Sequence, residues 1–513
     1  MNDVKEVFGM ILVVGAGPTG LTLAIELARR AIDVRIIDSG GRRGSRGKGL
    51  QPRTLEVFND LGVIDDVLAS GAPYPPMRVY SGDGTVAWEG HLARRHEPGP
   101  DVPYPNVWLV PQWRTEEILR SRLARLGVHV ESGTELLGFT ADPHGVTARL
   151  STGEARADYM VGCDGGHSLV RRELGIAFAG ETHESERMLL ADVRAEGLDR
   201  AHWHAWGDGP DDMLALCPLP GTDRFQLVAA LSPGAGNPRP ALPTLQDLAG
   251  RRATGVRLLD AGWISLYRVN IRMAHRFRVG RVLLAGDAAH VHSPAGGQGL
   301  NTGVQDAYNL GWKLAAADRH PRLVDTYEAE RLPVAAHVLG LSTAYLRRSG
   351  GARPIAQRAS DTRQLDLTYL GGPLAPDDSA DPGAPEGPGG AAGQDGEHAP
   401  PADGAAAPLR PGDRAPDAPV VVAGNGVRLF DVFRGPHFTL LAFGPDAARA
   451  AADIDRRYGP ELRTAALDED GQARRAYGVS GDRLVLVRPD GHIAATAPSG
   501  TPAPITRFLE AAA

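Results

Sequence analysis

The sequence predicts an α/β protein: one nucleotide-binding layer assembled from separated stretches of chain, a β-rich block inserted into it, and a small α/β unit appended. Three observations carry this. A strand, a glycine loop, a helix and a second strand open the chain between Met10 and Asp38. Apolar strands running into glycine turns return at Tyr159–Cys163 and in GRVLLAGD, which begins at Gly280. From about residue 371 to 408, Gly, Ala, Pro and Asp displace almost every large apolar residue, and a freshly patterned block of domain size follows.

A chain of 513 residues is too long for one ordinary core, so two or three domains are expected. Apolar residues make up 42% and charged residues 23%, enough apolar material for large cores. The net charge of −7 offers no electrostatic reason to bind nucleic acid. Cys163 and Cys217 are the only cysteines and stand far apart, so neither a disulfide framework nor a zinc cluster is expected, and the low count suits a reducing cytoplasm. No basic segment ahead of an apolar stretch opens the chain, and no run approaches the roughly 20 apolar residues of a membrane span. The expectation is a cytoplasmic protein partnered by neither nucleic acid nor membrane.

In chain order, the first unit reads as strand Met10–Val14, loop GAGPTG, helix Leu21–Arg30 and strand Val34–Asp38. A Gly/Arg-rich loop follows, then a helix over Arg53–Leu61. Proline and glycine crowd residues 73–104, where strand signals are short, and a helix resumes at Thr115–Leu126. From Ala191 to Leu266, short apolar runs broken by Gly, Pro and Asp read as mostly β. After the Gly280 strand come a glycine-rich loop, a helix over Val304–Ala317 and helical material to about Arg348. In the last block, Phe438–Phe443 and Leu484–Val487 read as strands, and Ala447–Tyr458 and Ile505–Ala512 as helices.

Three motifs carry chemistry. In GAGPTG, Gly15 permits the turn out of the strand, Gly17 lets backbone approach a pyrophosphate, and Gly20 lets helix and strand pack closely; Pro18 and Thr19 complete the loop. The helix then aims free N–H groups and its positive dipole end at the phosphates. Asp38, 18 residues after Gly20 and followed by Ser39, can accept hydrogen bonds from ribose hydroxyls and would repel a 2′-phosphate, which favours FAD or NAD over NADP at this site. The second motif, DGGHSLVR, places Asp164, Gly165 and Arg171 at a turn between strand and helix, beside the nucleotide. Read alone, it is also a turn with a capping serine. In the third, Gly286 and Asp287 end a strand, where a carboxylate can bind a cofactor hydroxyl. Pro294, Gly296, Gly297, Gly299, Leu300 and Asn301 then form a loop whose N–H groups suit a polarised carbonyl or a reduced flavin ring. His290 and His292 lack an acidic companion cluster in sequence, so no metal site is expected there.

These three motifs, in this order, resemble the class A flavoprotein monooxygenases, the single-component aromatic hydroxylases related to para-hydroxybenzoate hydroxylase (PHBH) and phenol hydroxylase. Two further segments are similar: SRGKGLQPRTLEVF, whose Arg46 would lie near FAD, and VPQWRTEEIL, whose Gln112 would contact it. The resemblance covers about residues 10 to 345. It implies a PHBH-like α/β fold with a discontinuous FAD-binding Rossmann-type domain (1–74, 105–178 and 276–370) and an inserted β-rich substrate domain (75–104 and 179–275). A flexible linker (371–408) and a C-terminal thioredoxin-like domain (409–513) would complete the chain. PGDRAPDA, LFDVFRGPHFTLLAF, RAYGV and LVLVRPDGHIA are similar to the tail of the larger hydroxylases, among them bacterial polyketide-tailoring enzymes. That tail contains no cysteine, so a structural role or a homodimer contact is expected of it rather than redox chemistry.

The resemblance implies an activity as well: NADPH or NADH as transient reductant of FAD, dioxygen as co-substrate, and a flavin C4a-hydroperoxide that transfers one oxygen to an electron-rich ring. The expected partner is a small aromatic substrate, foremost a polycyclic polyketide. Alternatives on the same fold are a simple phenol, an antibiotic such as a rifamycin or tetracycline, a Baeyer–Villiger oxidation, and a flavin-binding protein without catalysis. A reductase or dehydrogenase that does not use dioxygen would also carry these motifs. Trp203, His204, Trp206, Met213, Leu216 and Phe225 are the candidates for lining the substrate pocket, with core packing as the competing role.

Overall fold

The computed structural model describes residues 9–41, 44–92, 94–207, 209, 212–232, 234, 236–293, 297–348, 360–376, 408–467 and 471–513, with the backbone alone at 183–185, 341–348 and 360–361. Two compact units emerge: Met1–Glu97, Tyr104–Asp318 and Arg331–Leu365 form the first, and Pro98–Pro103, Arg319–Glu330 and Asp366–Ala513 the second.

The first unit holds a six-stranded sheet in the order Arg278–Val279, Val282–Leu284, Tyr159–Gly162, Ile11–Val14, Val34–Asp38, Val130–Ser132. All pairs are parallel except the first. Ile11, Leu12 and Val13 are fully buried, as are Val282, Leu283 and Leu284, which is why these strands read as unbroken apolar runs. The helices Pro18–Ala28 and Gly299–Ala315 pack against each other where Gly311 admits Glu26: a Cβ at Gly311 would lie 2.4 Å from the Glu26 Cβ. Ile11–Val14 pairs with Val34–Asp38 on one side and Tyr159–Gly162 on the other. The strand order therefore reverses at its carboxyl end, where open α/β sheets leave a crevice.

A second, eight-stranded sheet follows the order His290–Val291, Arg257–Ala274, Phe178–Glu196, Phe225–Leu231, Leu214–Pro218, Trp203–Trp206, Met77–Tyr80, Val86–Gly90. The long strands Phe178–Glu196 and Arg257–Ala274 pair antiparallel along their length, with register shifts at three points. The stretch read from sequence as mostly β also contains a helix, Leu242–Arg252, which covers one face of this sheet. Its signal was Leu245 and Ala249 at i, i+4, both fully buried, behind the prolines that end the preceding loop. Leu136–Asp142, Gly145–Leu150 and Gly153–Ala157 form a separate antiparallel sheet.

The second unit is built on a four-stranded sheet in the order Leu462–Leu467, Phe438–Phe443, Arg483–Val487, Ile493–Pro498. The first pair is parallel and the other two antiparallel, with helices Pro445–Tyr458, Gln472–Tyr477 and Ala503–Ala512 between and after the strands. Beneath it lies a buried ion cluster: Arg488 donates to both Glu330 oxygens (2.7 and 2.9 Å) and to Asp490 (2.6 Å). Residues 366–376 belong to this unit, held by Tyr369 N–H to Gly412 O at 3.0 Å and Gly371 N–H to Ala375 O at 2.8 Å. The remainder of the expected linker, 377–407, lies outside the described residues. Among the described residues, no helix is long and apolar enough to cross a membrane.

Candidate cofactor and substrate site

The fingerprint glycines occupy the switch point, and each has its own reason. Gly15 sits at φ +101°, and a Cβ there would lie 2.4 Å from the Cys163 carbonyl oxygen. A Cβ at Gly20 would lie 1.9 Å from the Gly15 oxygen, so helix and strand touch through backbone alone. Gly17 differs: nothing lies within 4 Å of where its Cβ would stand, so the loop faces open space. The helix Pro18–Ala28 starts there with no side-chain cap and no acid in its first turn, leaving its N–H groups directed into that space. Thr19 packs under the third motif, beside Gly286 and Gly303. At the end of the second strand, Asp38 accepts from Ala16 N–H (2.8 Å) and Gly40 N–H (2.9 Å); the carboxylate is held in place beside the loop, and Ser39 is exposed next to it.

The second motif closes over the same point. Asp164 accepts from the N–H groups of Leu169 (2.7 Å) and Val170 (3.2 Å) through one oxygen, while its other oxygen is buried without a partner. Gly165 turns at φ +79°, and Ser168 caps the short helix through Arg171 N–H at 2.9 Å. Arg171 is spent on protein: it donates to Ala288 O and Gly166 O, both at 2.8 Å, and lies 3.8 Å from the Phe178 ring centroid. It braces the third motif against the second.

In the third motif, Gly286 turns at φ +61° and its N–H donates to Asp306 (3.1 Å). Asp287 is exposed at the strand end; protein packed around it raises its carboxyl, with His290 and Arg46 opposing, and since solvent reaches it we read it as ionised. Gly297 turns at φ +65°, and the expected loop gives way to helix early, so that Gly299, Leu300 and Asn301 form the first turn of Gly299–Ala315. Asn301 is fully buried and clamps the segment after the second strand, accepting from Gln51 N–H (2.8 Å) and donating to Gly49 O (2.9 Å) and Gly297 O (2.8 Å). Pro294 and Gly296 lie outside the described residues. Gln112 starts the helix Gln112–Arg125 and accepts from Gly47 N–H at 2.9 Å; Arg46, exposed, reaches over Trp263 at 5.8 Å.

Sequence reasoning set His290 and His292 aside. In the structure they form a buried chain, His292 Nε2 to His290 Nδ1 at 3.1 Å and His290 Nε2 to Asp306 at 2.6 Å, ended by Arg331 Nε on Asp306 at 2.8 Å. Burial first, then the neighbouring His290, pushes His292 down to about 3, so it is neutral. His290 and Arg331 hold the Asp306 carboxyl well below the usual range against the cost of burial. Among the described residues, no group of three or more His, Cys, Asp or Glu is placed to hold a metal ion.

The eight-stranded sheet corrects the pocket expectation. Trp206, Leu216 and Phe225 point to the face covered by helix Leu242–Arg252, within a core that includes Leu189, Val193 and Leu227. His204 lies on that side too, stacked on Trp206 (6.0 Å) and Tyr80 (5.8 Å), its ring nitrogens 2.7 Å from Tyr80 Oη and 2.9 Å from Asp199 O. These four are core residues. Trp203 lies on the opposite face, and Met213, half-buried, precedes its strand. That opposite face meets the segment after the second strand: Asp192 accepts from Ser45 N–H (3.1 Å) and Ser45 Oγ (3.0 Å), and Gln226 accepts from Lys48 Nζ (2.5 Å). The register puts Trp263 opposite Asp192, with Ser265 and Tyr267 following on alternate positions, all half-buried. These are the residues sequence reasoning missed. The available signal was Asp192 within the apolar run MLLADV and Gln226 within FQLVAAL.

Residues 10–342 match the family model described as FAD binding domain, and residues 409–513 match the one described as aromatic-ring hydroxylase, C-terminal. The chain belongs to the FAD-dependent aromatic-ring hydroxylases. This hydroxylase is 46% identical over 505 residues to a flavin-dependent monooxygenase of Mycobacteroides abscessus, covering 96% of this chain and 97% of that one. It is 34% identical over 553 residues to the 6-methylpretetramide 4-monooxygenase of Streptomyces rimosus, covering 98% and 93%. Among solved structures, the ternary complex of aklavinone-11 hydroxylase with FAD and aklavinone matches with a TM-score of 0.78 at 29% identity, covering 100% of this chain and 99% of that one. The enzyme is therefore an FAD-dependent monooxygenase of the aromatic-hydroxylase type.

Proposed function

We propose that this monooxygenase hydroxylates a polycyclic aromatic polyketide, with NADPH or NADH as transient reductant and dioxygen as co-substrate. The observation that carries the reading is the face of the eight-stranded sheet away from helix Leu242–Arg252, where half-buried Trp203, Trp263 and Tyr267 share a side with the buried polar pair Asp192 and Gln226. Relatives that act on fused-ring substrates, the 6-methylpretetramide and aklavinone hydroxylases, support it.

FAD supplies the electron transfer and the oxygen activation when bound. The residues present fit it. The N–H groups behind Gly17 would hold the pyrophosphate, Asp38 the adenosine ribose, and the orphaned oxygen of Asp164 together with Asp287 cofactor hydroxyls. The N–H groups at Gly297 and Gly299, at a helix N-terminus, would stabilise negative charge on the ring. Gln112 and Asn301 orient the Gly47–Gln51 segment that separates cofactor from substrate wall. The tail's strand order supports a thioredoxin-like reading, and its lack of cysteine supports a structural or homodimer role in a cytoplasmic protein.

The test is NAD(P)H oxidation by the purified yellow protein across naphthols, anthraquinones and tetracyclic polyketides. Stimulated oxidation with a product heavier by one oxygen is expected. Bound FAD with no stimulation by any fused-ring compound, but turnover with single-ring phenols, would overturn the substrate class.

A further inference from the structure

The buried chain of His292, His290 and Asp306 ends on an unsatisfied atom. His292 is 6% exposed, yet among the described residues nothing bonds its Nδ1. Its ring touches the third motif: Cδ2 lies 3.3 Å from where a Cβ of Gly299 would stand, and Pro294 follows two residues later. At the far end, Asp306 accepts from His290 Nε2 (2.6 Å), Arg331 Nε (2.8 Å) and Gly286 N–H (3.1 Å). An ionised carboxylate only accepts, so His290 Nε2 carries hydrogen. His290 Nδ1 and His292 Nε2, 3.1 Å apart, then share one hydrogen between them. With that hydrogen on His292 Nε2, the orphan Nδ1 is a bare lone pair. With one proton more in the chain, the shared hydrogen lies on His290 Nδ1 and the orphan Nδ1 carries N–H. The added charge then rests on His290 beside Asp306, not on His292, which burial and the neighbouring His290 push down to about 3. The other charged and titratable groups around the chain are Arg331, Asp287, Cys163 and Tyr267, whose hydroxyl donates to His292 O at 3.4 Å. Burial raises the Cys163 thiol and the Tyr267 phenol, so both stay protonated.

We propose that His292 and His290 form a proton relay of the cofactor site, which takes up one proton at His292 Nδ1 when bound FAD gains negative charge on reduction. The relay rests on the cofactor placement proposed above, with the ring beside the Gly297 and Gly299 N–H groups. An N–H bond forms at His292 Nδ1 with a proton from bulk water. The Nε2–H bond of the same ring breaks, its electron pair stays on Nε2, and its proton passes to His290 Nδ1. Neither histidine is oxidised or reduced; the electrons that charge the cofactor come from NAD(P)H, or from dithionite in the test. The charge ends next to a carboxylate that is already ionised, which is far less costly in a buried site than an isolated cation.

The midpoint potential of FAD in the holoenzyme is measured from pH 6 to 9, in the unaltered enzyme and in His292→Gln, which keeps an N–H donor toward His290 but passes no proton. One further proton per reduction is a tenfold change in equilibrium per pH unit. The unaltered enzyme should therefore show a slope steeper than the variant's by about 30 mV per pH unit for a two-electron couple. Equal slopes overturn the proposal. Nitrogen-15 histidine spectra of the holoenzyme, with His292 identified by its loss in His292→Gln or His292→Phe, read the relay itself. The His292 hydrogen should move from Nε2 to Nδ1 on acidification, and again on anaerobic reduction with dithionite at constant pH. A move on acidification alone overturns the proposal through its cofactor link and with it the placement of the ring. A hydrogen that stays on one nitrogen under both conditions overturns the relay and leaves that placement standing.

Discussion

Two glycines three positions apart, Gly17 and Gly20, separate folding from binding. A methyl group on Gly20, in the first turn of helix Pro18–Ala28, meets the backbone oxygen of Gly15, just past the end of strand Ile11–Val14, at 1.9 Å. Gly20→Ala is expected to cost about 3 kcal/mol of stability and to yield protein that melts early and carries no FAD, as absorbance and thermal unfolding would show. Gly17→Ala meets nothing in the protein. It should leave the melting temperature of the apoprotein unchanged yet weaken FAD by at least about tenfold, or 1.4 kcal/mol, measured by fluorescence titration. His292 makes a pH prediction. Its folded value of about 3 lies below the unfolded one of about 6.5, so below pH 6.5 the unfolded state takes up a proton that the folded state refuses. Stability should fall by up to about 1.4 kcal/mol per pH unit between pH 6.5 and 3. Asp306, depressed by its partners, adds to the loss at the acid end, where its carboxylate must protonate. His292→Phe should flatten the upper part of this profile, read as denaturation midpoints from pH 4 to 7.

Strand faces decide which substitutions touch substrate. Leu216→Ala empties a fully buried position in the helix-covered core and should cost about 3 kcal/mol with FAD affinity unchanged. Val228→Trp, on the other face beside Trp203, should overpack that face, costing about 1 to 3 kcal/mol, and abolish binding of fused-ring ligands while FAD stays bound. Most elements of the first sheet were legible, because parallel strands buried on both faces leave unbroken apolar runs such as Ile11–Val14. The wall was not. Trp206, Leu216 and Phe225 are large apolar side chains on antiparallel strands, which fill the core by default, and period-two alternation puts Trp203 and Gln226 on the other face of the sheet. His290 and His292 were visible as residues, but their role needed Asp306 and Arg331, which lie 16 and 41 residues after His290. No local pattern announces contacts of that reach.

At the scale of the molecule, each unit carries its own buried charge. In the second, Arg488 is fully buried and shared between Glu330 and Asp490. Arg488→Met would remove the buried guanidinium that both carboxylates share and should cost about 3 to 5 kcal/mol, seen as an early calorimetric transition while FAD stays bound to the rest of the chain. The first unit brings three motifs, spread from Gly15 to Asn301, to one crevice at the switch point of its sheet. From this follows the central claim, insertion of one oxygen atom into an aromatic ring. The most direct test is turnover under isotopically labelled dioxygen with the fused-ring compound that best stimulates NAD(P)H oxidation. The account predicts one labelled atom in the product, as a ring hydroxyl. Unlabelled product, or consumption of NAD(P)H with all the label recovered as hydrogen peroxide, would contradict it.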